Sequence, residues 1–213
     1  MIKNYKTRKH NIPLLDHEVE ILSAASIDDL LDGVEEEDDI PFWSELWPSA
    51  RGLAQHLWER KDLAGQSLLE LGCGVGLCSI IAAIKGAKTL ATDRFGDALS
   101  FARYNAGANG VNPDYIDFAM VDWRDCHLNG AYDFIIGSDI LYEPTLHLYL
   151  QSVLERKIKP GGKLIIADPG RKYSDDFILT LEERGWELSD IESRRVPGEK
   201  GSINIFEVTA PLG

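Results

Sequence analysis

The sequence has no run of apolar residues approaching the length that spans a bilayer. Its first residues, Met1-Ile2-Lys3-Asn4-Tyr5-Lys6, carry positive charge with no apolar stretch behind them, so no secretory leader is expected and a cytoplasmic protein is. Cysteine is scarce: Cys73, Cys78 and Cys126 are odd in number and form no CxxC pair, which argues against a disulfide framework and a zinc site. The five histidines are scattered, none at ligand spacing from another, and no metal is expected. Positive charge is short as well: 22 Lys and Arg face 35 Asp and Glu, for a net charge of −13. Such a chain repels nucleic-acid phosphates and anionic lipid, so neither nucleic acid nor membrane is expected as a partner. A basic partner surface would be attracted, although an acidic surface also serves solubility alone. Internal repeats and low-complexity tracts are absent too.

What remains is a chain of 213 residues, 44% hydrophobic and 27% charged, enough for one sizeable core. Residues 1–40 read as an N-terminal extension packing on the core, and 41–213 as the main domain. Within the extension, residues 19–22 suit a short strand. Ser26 suits a helix cap, with Asp28 and Asp29 complementing the dipole. The acidic run 35–39 suits a solvated loop. Beyond it, apolar spacing predicts helices over 49–61, 77–85, 97–109, 146–158 and 177–184. Strands are predicted over 68–71, 89–92, 115–121, 134–138 and 163–167, with Pro160-Gly161-Gly162 as a helix stop. Two last strands, 186–193 and 203–209, flank the turn-rich link 196–201 with no helix between them, and so pair antiparallel. The expected architecture is α/β and Rossmann-like: a seven-stranded, mostly parallel sheet with helices on both faces and a C-terminal antiparallel hairpin.

Ligands bind beyond the carboxyl ends of the strands in an open parallel sheet. The first feature there is Gly72-Cys73-Gly74-Val75-Gly76, where missing Cβ atoms allow tight turning and close backbone approach. A dinucleotide fingerprint, G-x-G-x-x-G, would place its third glycine at position 77, which is Leu77. The G-x-G-x-G spacing favours adenosylmethionine over a nicotinamide dinucleotide. Asp93 follows Gly72 by 21 residues, at the end of the next strand. A carboxylate there suits both ribose hydroxyls, while a cap for the next helix is the plainer alternative. Asp122 suits the adenine amino group and Trp123 the adenine face; a turn aspartate beside a buried tryptophan is the alternative.

Asp139-Ile140-Leu141-Tyr142 ends the fourth strand of the main run. With it the chain resembles family 16 of the seven-β-strand protein methyltransferases, many of which methylate lysine. The family's D-x-x-Y pattern is matched by those four residues and its upstream tryptophan motif by Glu45-Leu46-Trp47-Pro48-Ser49-Ala50. Its glycine turn is matched by Leu69-Glu70-Leu71-Gly72-Cys73-Gly74, and the tail of its second helix by residues 105–110. Pro41-Phe42-Trp43 and Asp168-Pro169-Gly170-Arg171 are similar to the branch that methylates the β-subunit of electron transfer flavoprotein.

The resemblance implies S-adenosyl-L-methionine as cofactor, S-adenosyl-L-homocysteine as product, and a partner protein with an accessible lysine as substrate. It implies that Trp47, Glu70, Gly72, Cys73, Gly74, Asp93, Arg94, Asp122, Trp123 and Ser138 bind the cofactor, and that Asp139 and Tyr142 face the substrate. The chemistry agrees, because a free lysine amine (pKa about 10.4) must lose its proton before it attacks a methyl group. Asp139 would orient the amine and Tyr142 would add an aromatic face; a helix-capping Asp139 beside a packing Tyr142 is the alternative. Arg171 is expected either to pair with an acid or to touch the partner, and Trp43 to be core or substrate wall. Cys73 is expected to be small rather than reactive, and His127 and His147 to lie at the surface. Against a lysine methyltransferase stand a small-molecule N- or O-methyltransferase and a non-catalytic interaction protein of the same fold.

Overall fold

The computed structural model describes residues 2, 5–31, 34, 36 and 39–213. Strands β1 (Thr7–Pro13) and β2 (Glu18–Ala24) form an antiparallel hairpin of their own. Helix α1 (Pro48–Glu59) leads into β3 (Ser67–Leu71), α2 (Leu77–Ile84), β4 (Lys88–Asp93), α3 (Gly96–Ala108) and β5 (Ile116–Met120). Then follow β6 (Tyr132–Ser138), α4 (His147–Lys157), β7 (Ile158–Asp168), α5 (Lys172–Glu183), β8 (Glu187–Arg195) and β9 (Ser202–Thr209). The main sheet has the order β5-β4-β3-β6-β7-β9-β8. Pairing is parallel from β5 to β7 and antiparallel at β9 and β8.

Period-two alternation in β3 sends its side chains to two cores. Leu68 joins the core under α1, α2 and α3, with Leu57, Ile80 and Phe101. Leu69 and Leu71 join the opposite core under α4 and α5, with Leu154 and Phe177. Because β4 and β5 run outward on one side of β3 and β6 returns on the other, the chain reverses between β3 and β6. The carboxyl ends of these two strands border the crevice where ligands bind in such sheets.

Several local expectations change. The short strand at 19–22 is the middle of β2, and its partner β1, TRKHNIP, was not foreseen because only Ile12 in it is buried. The helix at Ser26 is a single 3-10 turn, Asp28–Leu30, with the Asp28 N–H donating to Ser26 Oγ at 3.1 Å. No residue of that turn is buried, so nothing extends it into a helix. Pro160-Gly161-Gly162 does not separate helix from strand; β7 runs through it with a register shift against β6. Of the acidic run 35–39, Glu35, Glu37 and Asp38 lie outside the described residues, Glu36 is exposed, and Asp39 pairs with Arg94 at 2.8 Å.

Candidate active site

A cavity of about 330 Å³ opens at the carboxyl ends of β3, β4, β5 and β6, within the range of small-ligand sites. All twelve site residues read from the sequence line it: Trp47, Glu70, Gly72, Cys73, Gly74, Asp93, Arg94, Asp122, Trp123, Ser138, Asp139 and Tyr142.

The turn after β3 needs its glycines for three different reasons. Gly72, Gly74 and Gly76 all have positive φ (67°, 50° and 90°), which glycine adopts without steric cost. A Cβ on Gly72 would crowd Ile140, and one on Gly74 would come within 3.2 Å of the Trp43 carbonyl. A Cβ on Gly76 would stand 2.7 Å from that of Ala102, so this third glycine serves the packing of α2 on α3 rather than the cavity. Asp93 fixes the turn from the neighbouring strand. Its carboxylate accepts the Gly74 N–H at 2.9 Å and the Phe95 N–H at 3.0 Å. Burial pushes its pKa up, against the pull of those donors. A carboxylate has about four acceptor sites, so capacity for a ligand remains.

Glu70 points from β3 into the same region and is fully buried. Burial pushes its pKa up to about 7, opposed by the Ser79 hydroxyl that donates to it. Burial likewise pushes the Cys73 and Cys78 thiols up, leaving them unreactive. Asp122 closes the turn that carries Trp123, accepting the Arg124 N–H at 2.9 Å and pairing with the Arg124 guanidinium at 2.7 Å. That pairing holds its carboxyl below the usual range. The Trp123 ring leans over the glycine turn, 3.5 Å from the Cβ direction of Gly72.

Asp139 is the only non-glycine residue with positive φ (57°) among the described residues. Aspartate tolerates this left-handed region better than most residues. Its N–H donates to the Ala167 carbonyl at 2.9 Å, tying it to the end of β7. Its Oδ2 accepts the Ser49 N–H at 3.3 Å, and its Oδ1 accepts from Arg171 Nη1 at 2.8 Å. Asp139 therefore does cap a helix, but it is α1, whose own N-cap residue Trp47 supplies no side-chain oxygen. Burial pushes the Asp139 carboxyl up, and Ser49 and Arg171 oppose it. Tyr142, 45% exposed, sits at the rim with its ring 5.6 Å from that of Phe42. Phe42 also meets Trp47, whose Nε1 donates to the Phe42 carbonyl at 2.8 Å.

Two lining residues were underweighted in the sequence. Phe42 carried only a motif resemblance, yet it bridges Trp47 and Tyr142. Arg171 carried two open roles, and its Nη1 pairs with both Asp139 and Asp168 at 2.8 Å. The readable signal was Asp168-Pro169-Gly170-Arg171 itself. The wholly buried Asp168 accepts the Gly170 and Arg171 N–H groups at 2.8 and 2.7 Å, folding the arginine back over the strand end. Trp43 is buried against Phe101 and Tyr5 while also lining the cavity. His127 is exposed, but His147 is half-buried against Phe177, because α4 begins where it meets α5.

Residues 31–184 match the model of a family described as lysine methyltransferase. The chain belongs to this family. Among curated relatives, it is 30% identical over 138 residues to the electron transfer flavoprotein β-subunit lysine methyltransferase of Rattus norvegicus, covering 62% of this chain and 51% of the relative. It is 32% identical over 148 residues to protein N-lysine methyltransferase METTL21A of Danio rerio, covering 65% and 66%. The chain thus spans about half the length of the rat relative. Among solved structures, magnesium protoporphyrin IX methyltransferase of Synechocystis PCC 6803 with bound S-adenosylmethionine superposes with a TM-score of 0.63 at 20% identity, covering 76% of this chain and 77% of that one. That likeness shows a shared fold.

Methyltransferases of this family and fold use S-adenosylmethionine, and the residues present fit it. Five carboxyl groups (Glu45, Glu70, Asp93, Asp122 and Asp139) line the cavity against three guanidinium groups (Arg94, Arg124 and Arg171), a balance suited to a cationic ligand. Val75, Val121, Ile140 and the Trp123 ring supply apolar wall for a purine.

Proposed function

We propose that the protein transfers a methyl group from S-adenosylmethionine to the side-chain amine of a lysine in a partner protein. One observation carries the reading. Asp139, strained and paired, and Tyr142, at the rim, share a single cavity with the glycine turn and Asp93, in a chain of the lysine methyltransferase family. The names of the rat and zebrafish relatives support a protein acceptor. In this reading Asp93 takes the ribose, Asp122 and Trp123 the adenine, and the backbone of Gly72, Cys73 and Gly74 the amino-acid end. Trp47, Glu70, Arg94 and Ser138 complete the cofactor contacts.

Bound, the cofactor supplies a methyl group on a positively charged sulfur. The attacking amine must be neutral, and apolar walls from Phe42, Ile140 and Leu146 disfavour the ammonium form. Asp139 accepts an N–H of the amine on a lone pair left over from Arg171 and Ser49, which directs the nitrogen lone pair into the cavity. Arg171 opposes the upward push of burial on that carboxyl and holds it in place. Tyr142 gives the incoming side chain an aromatic face, and its exposure leaves the acceptor end open to a protein surface. Alignment of two reactants supplies most of the rate.

The test uses labelled adenosylmethionine in a native lysate. The wild-type protein should label protein, and Asp139→Asn should lower labelling by about 100-fold while binding S-adenosylhomocysteine within about threefold of wild type. Label found only on small metabolites would overturn the protein-acceptor reading.

A further inference from the structure

One stripe of α3 receives Tyr5 and the outer edge of β2, while the turn between β1 and β2 meets α1, Trp58 Nε1 donating to Asp16 at 2.8 Å. Phe101, Asn105 and Asn109 stand four residues apart and so share a helix face. Phe101 packs against Tyr5 and Trp43, with ring centroids 5.4 and 5.5 Å away. Asn105 Oδ1 accepts the Leu22 N–H at 2.9 Å, and its Nδ2 donates to the Leu22 carbonyl at 2.9 Å. Asn109 repeats the pattern on Glu20, at 2.9 and 2.7 Å.

The periods explain the fit. Four helical residues advance ~6 Å and two strand residues ~6.7 Å, so two amides on successive helical turns match two peptide units on one edge of β2. Each asparagine acts as a short piece of strand, completing the edge of β2 that faces away from β1. Asn105, wholly buried, does one thing more. The same Nδ2 donates to the Val75 carbonyl at 2.9 Å, inside the glycine turn. Asn109 has no such reach: its further bond is to the Asn105 carbonyl at 2.8 Å, within α3.

We propose that Asn105 is a positioning residue for the cofactor site, coupling the docked N-terminal hairpin to the glycine turn so that each holds the other in place. This rests on the proposed cofactor reading. The hairpin leads along the chain to residues 40–47, of which Ile40, Phe42, Trp43, Glu45, Leu46 and Trp47 form one wall of the cavity. Gly74 lies under that wall, its Cβ direction 3.2 Å from the Trp43 carbonyl. Undocking the hairpin therefore loosens both the turn and the wall above it.

Coupling of this kind is reciprocal, so the wild-type protein itself gives the first test. Amide hydrogen exchange is measured with and without S-adenosylhomocysteine. Slower exchange at Leu22 and Glu20 as well as at residues 73–76 supports the coupling. Protection confined to residues 73–76 overturns it while leaving the cofactor reading intact. Absence of binding overturns both.

Two variants separate the linkage from general stability. Asn105→Ala should raise the Kd for S-adenosylhomocysteine by about tenfold or more, a loss of one ordinary buried hydrogen-bonding group. Asn109→Ala should speed exchange at Glu20 and leave that Kd within about twofold. A folded Asn105→Ala protein that binds as tightly as wild type would contradict the proposal. If that variant does not fold, the wild-type exchange pattern decides.

Discussion

Arg171 Nη1 stands 2.8 Å from Asp139 Oδ1 and 2.8 Å from Asp168 Oδ2, so one nitrogen serves two buried carboxylates. The arginine thus fixes the orientation of Asp139 at the acceptor end of the cavity. Arg171→Ala would leave both acids without a counter-charge, at a stability cost on the order of 3 kcal/mol. Label transfer should fall with it, and S-adenosylhomocysteine binding should change much less. Arg171→Lys restores charge but not the planar fork, and should recover stability more fully than activity. Chemical denaturation and calorimetry on the same samples check both statements.

Asp139 offers a cleaner substitution than its position first suggests. With φ at 57°, alanine there adds roughly 1–2 kcal/mol of backbone strain to the loss of the α1 cap, itself about 1 kcal/mol. Asparagine tolerates the left-handed conformation. Asp139→Asn should therefore unfold nearer the wild-type denaturant midpoint than Asp139→Ala, with both defective in transfer. Equal midpoints would show that neither the strain nor the cap contributes.

Two buried glutamates should tilt stability with pH in opposite directions. Burial raises the Glu70 carboxyl from 4.5 to about 7, so the folded state holds a proton that the unfolded state has released. Between those values stability falls as pH rises, by at most about 3 kcal/mol. Glu70→Gln should remove that fall and be more stable than wild type above pH 7. Glu207 behaves oppositely. Burial alone would raise its pKa, but Lys163 from the neighbouring β7 and Arg60 from the C-terminal end of α1, both bonded to it, bring it below the ordinary value. Its contribution is present above the unfolded value near 4.5 and is lost as pH falls through the lower folded one. Glu207→Gln should flatten the acid side of the stability profile. Denaturant midpoints from about pH 2 to 8 separate the two effects.

Gly76 and Gly74 should fail differently. Gly76→Ala drives a methyl group into Ala102 at 2.7 Å with φ at 90° and should cost on the order of 2–3 kcal/mol of stability. Gly74→Ala meets the Trp43 carbonyl at 3.2 Å, against the cavity wall, and should weaken S-adenosylhomocysteine binding in proportion to any stability it loses. Parallel calorimetry and denaturation distinguish a packing glycine from a site glycine.

The main sheet was legible because its strands are short apolar runs closed by turns, with helices of 3.6 periodicity between them. The antiparallel hairpin was legible from the missing helix between 193 and 203. The N-terminal hairpin was not, because β1 is almost wholly exposed and β2 completes its edge on asparagine side chains rather than on another strand. No periodicity in residues 1–25 announces a partner that lies 83 residues away. Helix α5 starts at Lys172 rather than 177, and apolar spacing did not show the earlier start because that first turn is polar and mostly exposed. Gly72, Cys73, Gly74, Asp93, Asp122, Trp123, Ser138, Asp139 and Tyr142 were readable at strand ends and turns, and Trp47, Glu70 and Arg94 only through the family resemblance, whereas what holds them was not readable. The Ser49 N–H on Asp139 and the Asn105 amide on Val75 are long-range bonds that only the folded chain brings together.

The most direct measurement is tandem mass spectrometry of native-lysate proteins incubated with the purified protein, with and without S-adenosylmethionine. The account predicts cofactor-dependent methyl groups on the lysine of one or a few proteins, lost with Asp139→Asn although that variant still binds S-adenosylhomocysteine. Methyl groups on arginine or on small molecules alone, or lysine methylation unchanged by Asp139→Asn, would contradict it.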